Sequence, residues 1–130
     1  MIPKFRVWDE ETKSMWNIER WHIEDEYFDL IEPNKSVVDP NAKRVWRKQS
    51  DVIIMQSTGL FDINDKDIFE GDIVRISMRI GKRTTTSIGA VEFDKFDVCF
   101  RIRNELGGHY VTMYHVRYFE VIGNIYENQN

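Results

Sequence analysis

The stretch Met55–Val74, MQSTGLFDINDKDIFEGDIV, decides how the chain is read. It takes over from the apolar run Val52-Ile53-Ile54, which Met55-Gln56-Ser57-Thr58 continues as far as Gly59. There a residue without Cβ lets the backbone turn sharply. Phe61–Lys66 then carries Asn64-Asp65, a pair that tolerates positive φ and marks a tight turn. Ile68-Phe69 begins another extended piece and Glu70-Gly71-Asp72 bends it. Beyond the bend Val74, Ile76 and Met78 fall on one face, and Arg75, Ser77 and Arg79 on the other. A period of two is the mark of a strand with one dry side and one wet side.

Toward the N-terminus, Phe5 and Val7 alternate with Lys4 and Arg6 between Pro3 and Trp8. Asp9–Ser14 offers a turn before Met15–Ile18, so the chain opens with a hairpin. Residues 20–32, RWHIEDEYFDLIE, fit a helical stripe through Ile23, Tyr27, Leu30 and Ile31, and equally a strand over Tyr27–Ile31; the strand is preferred. Glu32–Ser36 and Asp39-Pro40-Asn41 are punctuated by Pro and Asn and read as loop. Toward the C-terminus, Ser77–Ser87 has a polar, basic middle, RIGKRTTT, taken as a connection with glycine at its apex. Ser87–Phe93 resumes as a strand, with Val91 and Phe93 on one side and Ala90 and Glu92 on the other.

Phe96–Arg103 has the cleanest alternation, with Phe96, Val98, Phe100 and Ile102 inward and Asp97, Cys99, Arg101 and Arg103 outward. Asn104–Gly108, with its Gly-Gly pair, predicts a turn, and His109–Tyr114 and Val116–Tyr126 are β-rich. Strands of this length, separated by turn residues and without a long helical pattern, indicate a mainly β protein whose antiparallel sheet curls into a small barrel.

Composition narrows the function classes. A chain of 130 residues, 42% hydrophobic and 13% aromatic, buries one real core, with room for a small appendage. A net charge of −4 over 31% charged residues is an ordinary soluble surface and argues against a protein that coats DNA. The single cysteine, Cys99, excludes an internal disulfide and points to a reducing compartment. No segment approaches the ~20 apolar residues of a membrane span, and MIPKFRVWDEE lacks a signal peptide's apolar core. The expectation is a cytoplasmic protein without a membrane partner.

Three motifs then carry a resemblance. Lys4-Phe5-Arg6-Val7-Trp8-Asp9 opens the chain. Met55-Gln56, Thr58-Gly59-Leu60, Asp62 and Ile68-Phe69-Glu70-Gly71-Asp72-Ile73-Val74 lie at its centre, and Glu120-Val121-Ile122-Gly123-Asn124-Ile125-Tyr126-Glu127-Asn128 closes it. In these residues, end to end and in order, the chain resembles the YopX family, proteins encoded mostly by phages and prophages of bacteria. It departs at Ser57, where the family has an aromatic residue, at Asn64-Asp65 in place of Asn-Gly, and at Gln129 in place of proline. The resemblance implies an SH3-like β-barrel over residues 55–130, preceded by a β-rich N-terminal segment over 1–54. It brings no catalytic motif.

The residues themselves bring none either. Asp62, Asp65, Asp67, Glu70 and Asp72 invite a metal, but an EF-hand counted from Asp62 places Lys66 fifth and Asp67 sixth, where an oxygen ligand and glycine are needed. The group reads as a solvated turn with capping carboxylates. His109 and His115 on one unbroken strand stand ~20 Å apart, too far to share a zinc, and His22 shares no ligand spacing with Cys99. Cys99 has Arg101 on its side but no histidine, and Asp97 opposes thiolate formation. There is no Gly-x-Ser-x-Gly and no phosphate loop. The expectation is a non-enzyme without cofactor or metal.

Two binding readings remain. Arg44, Trp46, Arg47 and Lys48 form one basic cluster with a ring inside it, and Arg75, Arg79, Lys82 and Arg83 form a second. Together they could contact phosphates and stack a base. The competing account places Trp46 in the core and leaves the cations as solvated strand sides. Trp8, Trp16, Trp21 and Trp46 crowd the first third, more aromatic surface than ~50 residues can bury alone. That predicts packing against the barrel, a protein partner or a second copy, and places protein binding or self-association ahead of nucleic acid.

Overall fold

The computed structural model describes residues 4–104, 110–112 and 118–127, without the side chains of 78–80 and 110–112. It runs β1 (Phe5–Asp9), β2 (Ser14–His22), β3 (Tyr27–Ile31), β4 (Arg44–Lys48), β5 (Val52–Phe61), β6 (Asp67–Phe69), β7 (Asp72–Ile80), β8 (Arg83–Asp94), β9 (Cys99–Asn104), β10 (Tyr110–Thr112) and β11 (Tyr118–Asn124). A single 3-10 turn, Gln49–Asp51, joins β4 to β5, and there is no α-helix among the described residues. The protein is mainly β. The chain divides into two compact units between Gln56 and Ser57.

In the first unit the sheet order is β4-β3-β2-β1, with the first part of β5 beyond β1, all antiparallel. The opening hairpin forms as its alternation predicts, Val7 facing Trp16 across the ladder. Asp9 shapes its loop by accepting from the Thr12 N–H at 3.1 Å and the Thr12 hydroxyl at 2.7 Å. This is the Asx-type contact that favours Asp at turns. The strand reading of residues 20–32 holds at both ends, and a turn at 23–26 with positive φ at Glu26 separates β2 from β3. Val7, Trp16, Phe28 and Leu30 make the core, with Ile18, Trp21, Val45, Val52 and Ile54 packed against it. Phe28 and Leu30 are wholly buried, each contributing about 2 kcal/mol through surface removed from water.

In the second unit the later part of β5 pairs with β6, and a five-stranded antiparallel sheet runs β10-β9-β8-β7-β11. Its core is Ile68, Val74, Ile76, Val91 and Ile102, flanked by Phe100, Phe119 and Val121. The two ends of that order, β10 and β11, are not paired with each other among the described residues, so the sheet seen is open.

Several expectations change here. Gly59 has φ of 81° as its place in the sequence suggests, but it sits at a bulge within β5 and bends the strand without ending it. Ser57 is buried there and accepts the Gly59 N–H at 3.0 Å. The basic connection RIGKRTTT is itself strand: Ile80 pairs with Arg83 across Gly81-Lys82, with positive φ at Gly81 alone. A two-residue hairpin needs only its apex to be flexible, so polar flanking residues stay in the ladder.

Phe96 and Val98 do not face inward. They are 97% and 72% exposed in the turn between β8 and β9, where Asp94 accepts the Phe96 N–H at 2.9 Å and Val98 takes a φ of 51°. The strand starts only at Cys99, so Asp97 no longer shares a strand face with it. Phe93 is more than a third exposed and meets Phe100 edge-on at 5.2 Å. Alternation persisted through residues that are turn, because no glycine or proline interrupts it. The expectations at Gly107-Gly108, His109, His115 and Asn128, and those on the side chains of Met78 and Arg79, lie outside the described residues.

Gly89 in β8 shows how tightly β8 and β9 are packed. A Cβ there would stand 2.5 Å from the Arg103 carbonyl and 2.6 Å from Ile102 Cγ2. Gly89→Ala is expected to destabilise the protein by about 2 kcal/mol through overpacking, read as a fall in the urea midpoint. An unchanged midpoint would show that β9 yields freely.

Candidate functional site

The site begins with a buried charge. Asp9 at the end of β1 is wholly buried, and its Oδ1 accepts Arg47 Nε at 3.1 Å. Burial acts to raise the Asp9 pKa, but the Thr12 hydroxyl, the Arg47 guanidinium and the Thr12 N–H together hold it below the usual aspartate value. A carboxylate in that position requires a cation, so Arg47 turns toward it, and at the rim it also reaches the exposed Glu11 at 3.4 Å. Successive strand residues point to opposite faces, so Arg44, Trp46 and Lys48 are sent outward.

Trp46 is therefore 62% exposed. The account of Trp46 as core is overturned, while Arg47, one of the candidate phosphate contacts, is engaged with Asp9. The register sets Tyr27 opposite Lys48 and Asp29 opposite Trp46 on the same outer face. Tyr27 meets Trp46 edge-on at 6.3 Å and stacks on His22 at 4.0 Å, while His22 Nε2 hydrogen-bonds Asp29 Oδ2 at 2.8 Å. Asp25, Tyr27, Asp29, Trp46 and Lys48 line an open groove of about 500 Å³. It offers an aromatic corner, carboxylates on the β3 side and an ammonium on β4. Nothing in it pairs a nucleophile with a base.

Tyr27, Asp29, His22 and Asp25 were not singled out as site residues in the sequence. They stand about twenty positions before Trp46, and only the β3–β4 register brings them to it. The one local signal is the spacing of His22 and Tyr27 about the acidic turn Glu24-Asp25.

The basic clusters are largely neutralised. Arg44 holds Glu19 at 3.0 Å and the carbonyls of Val37, Asp39 and Ala42. Arg75 holds Glu120 at 2.6 Å, and Arg101 holds Glu92 and Asp94 at 2.7 and 3.0 Å. Arg103 lies 3.8 Å from Glu92. Lys48, Lys82 and Arg83 are exposed, the last two at the β7–β8 hairpin. Arg44, Arg47 and Lys48 belong to the first unit, Arg75, Lys82 and Arg83 to the second.

The central and final motif residues prove to be architectural. Met55 is buried, Thr58 Oγ1 accepts the Leu60 N–H, and Asp72 is buried with its carboxylate on the Phe69 N–H. Gly71 has φ of 89°, accepts from Ile125 N–H and donates to the Val91 carbonyl, while Glu70 is half-buried beside it. Asp62 is buried and accepts three backbone N–H groups, from Asn64 at 2.8, Lys66 at 2.9 and Val121 at 2.9 Å. Burial works to raise its pKa, and those N–H donors reverse the effect and hold it below the usual value. The Asn64-Asp65 turn forms as expected, with Asp65 at φ of 60°. At the C-terminal end Asn124, after a bulge between Val121 and Gly123, accepts from the N–H groups of Tyr126 and Glu127 and donates to the Glu127 carboxylate. Leu60 stays exposed.

No helix among the described residues is long and apolar enough to cross a membrane. A comparison with curated proteins returns no match. The crystal structure of protein EF1440 from Enterococcus faecalis is similar to this chain, with 26% identity, a TM-score of 0.59, and coverage of 98% of this chain and 96% of that one. The model of the family described as YopX protein matches residues 4–130. With essentially its whole length matched, the chain belongs to the YopX family.

Proposed function

We propose that this protein is a non-enzymatic binding module of a phage or prophage, working in the bacterial cytoplasm by engaging a protein partner or a second copy of itself. One observation carries the reading. Trp46, the residue type most enriched at interface hot spots, is held outward on β4 beside Tyr27 by a buried ion pair. Holding a large aromatic in water while the neighbouring arginine is drawn inside makes sense when something covers the ring. An SH3-like barrel over residues 55–130 remains the proposed form of the second unit, supported by its small antiparallel sheet and the bulge between Val121 and Gly123.

Light scattering tests the two forms of the reading. A mass that is a multiple of the 15.6 kDa chain and persists in high salt supports self-association. A single-chain mass directs the search to proteins captured by the wild-type bait. In either case Trp46→Ala is expected to weaken association by about 2 kcal/mol or more, roughly thirtyfold. Association unchanged by Trp46→Ala would overturn the reading.

A second reading, nucleic-acid binding, rests on exposed Lys82 and Arg83 at the β7–β8 hairpin. It is the weaker one, because Arg44, Arg47 and Arg75 already hold carboxylates. Binding that falls steeply with salt and is abolished by charge reversal at Lys82 and Arg83 would favour it.

A further inference from the structure

We propose that the outer edge of β4 is a strand-addition site, which takes an extended acidic segment of a different protein with an apolar side chain over Trp46. The inference rests on the binding reading above and specifies its partner and geometry.

Backbone parity supplies the first argument. The Glu32 N–H donates to the Lys43 carbonyl and the Gln49 N–H to the Glu26 carbonyl, in the same register as the β3–β4 ladder. Hydrogen-bonded pairs in an antiparallel ladder recur every second residue. Residues 43, 45, 47 and 49 therefore face β3 with their N–H and C=O groups. Those of Arg44, Trp46 and Lys48 point away from it. Among the described residues β4 is the edge of its sheet, so these groups form an open template. The Trp46 carbonyl also receives Arg47 Nη1 at 2.8 Å, and a carbonyl has a second lone pair for a further donor.

Charge supplies the second argument and identifies the occupant. A second copy adding its own β4 in antiparallel fashion about Trp46 would set Lys48 opposite Arg44, whose charge Glu19 already holds, and so would bring Lys48 a second cation and no carboxylate. Lys48 has no carboxylate in ion-pair contact among the described residues. Asp25 and Asp29 lie on the β3 side, one strand farther from the edge. An incoming strand thus meets Arg44, whose guanidinium already holds Glu19 and three loop carbonyls, then Trp46, and then Lys48, the cation of this row without an ion-pair partner among the described residues. Its complement is an apolar residue over Trp46 and an acidic one two positions away, opposite Lys48.

The test is an NMR titration of the isotopically labelled full chain with the peptide Thr-Glu-Thr-Val-Thr-Glu-Thr, and with its lysine counterpart Thr-Lys-Thr-Val-Thr-Lys-Thr. The acidic peptide is expected to shift the amides of Arg44, Trp46 and Lys48 and to bind about tenfold more tightly than the basic one. Lys48 has φ of −66°, the value proline imposes, so Lys48→Pro removes one outward N–H and leaves the β3 ladder whole. It should weaken the acidic peptide about tenfold, against about threefold for Lys48→Gln, which loses only charge. Should Lys48→Pro not fold, Lys48→Glu reads the same site by reversing the preference between the peptides.

Equal binding of both peptides, equal losses in Lys48→Pro and Lys48→Gln, or β4 amides unmoved at millimolar peptide would overturn strand addition. If association of the full chain still depends on Trp46 while the peptides leave β4 unmoved, the binding reading stands and only its geometry falls. If Trp46→Ala also changes nothing, both fall.

Discussion

Arg47→Met is expected to destabilise the first unit by about 3 kcal/mol, as removing one partner of a buried ion pair strands the other charge. The methionine keeps the apolar stem in place, so the loss reports the charge on Asp9 more than the packing. Asp9 is buried, and without Arg47 it retains only the Thr12 N–H and hydroxyl. All four tryptophans, Trp8, Trp16, Trp21 and Trp46, lie in this unit, so urea unfolding followed by tryptophan fluorescence reads it without interference from the second. The double variant Asp9→Asn with Arg47→Met should recover a substantial part of the loss, because no uncompensated charge remains. A single variant within about 0.5 kcal/mol of wild type would show that Asp9 is solvated or protonated when Arg47 is gone. It would also remove the reason Trp46 faces outward.

Asp62→Ala is expected to cost the second unit about 3 kcal/mol, because three backbone N–H groups lose their acceptor together. Hydrogen exchange at Asn64, Lys66 and Val121 should accelerate well beyond that at β8, showing that the loop and β11 come loose before the rest of the sheet. The acid response follows from the direction of the shift. The folded Asp62 has its pKa below the ordinary 3.8, so its contribution is complete above that value and disappears as pH falls through the lower folded one. Melting of the wild type should therefore drop steeply below pH 3.8, while Asp62→Asn, lower at neutral pH, should lose less in the same window. Parallel curves for the two would place the acid-sensitive group elsewhere in the unit.

The parts of the fold legible in the sequence are those governed by neighbours a few residues away. The Phe5/Val7 alternation with a polar turn after it gives the opening hairpin. Asn64-Asp65 gives its turn, because those side chains tolerate positive φ. The motif residues around Asp62, Gly71 and Asn124 are legible as a pattern, though their hydrogen bonds to Val121, Ile125 and Glu127 are not. Local alternation also misleads. It carries Phe96 and Val98 into what is a turn, and it cannot say whether RIGKRTTT is loop or strand, since a polar ladder exposed on both sides has no burial pattern to reveal it.

The candidate site belongs to the other class. The five residues of β4 admit two facings, and hydrophobicity alone would bury Trp46. Arg47 is drawn inward by Asp9, thirty-eight positions earlier, and only the tertiary pairing of β1, β2, β3 and β4 reveals that demand. Strand pairing likewise decides which cations are spoken for, since Arg44 finds Glu19 in the first unit and Arg75 finds Glu120 across β7 and β11 in the second, neither of them along the chain. The sequence by itself determined the family and a mainly β chain, because turn chemistry and alternation are local. Which face of β4 meets water, and with it the place where a partner can bind, was decided only when a buried carboxylate found its distant arginine.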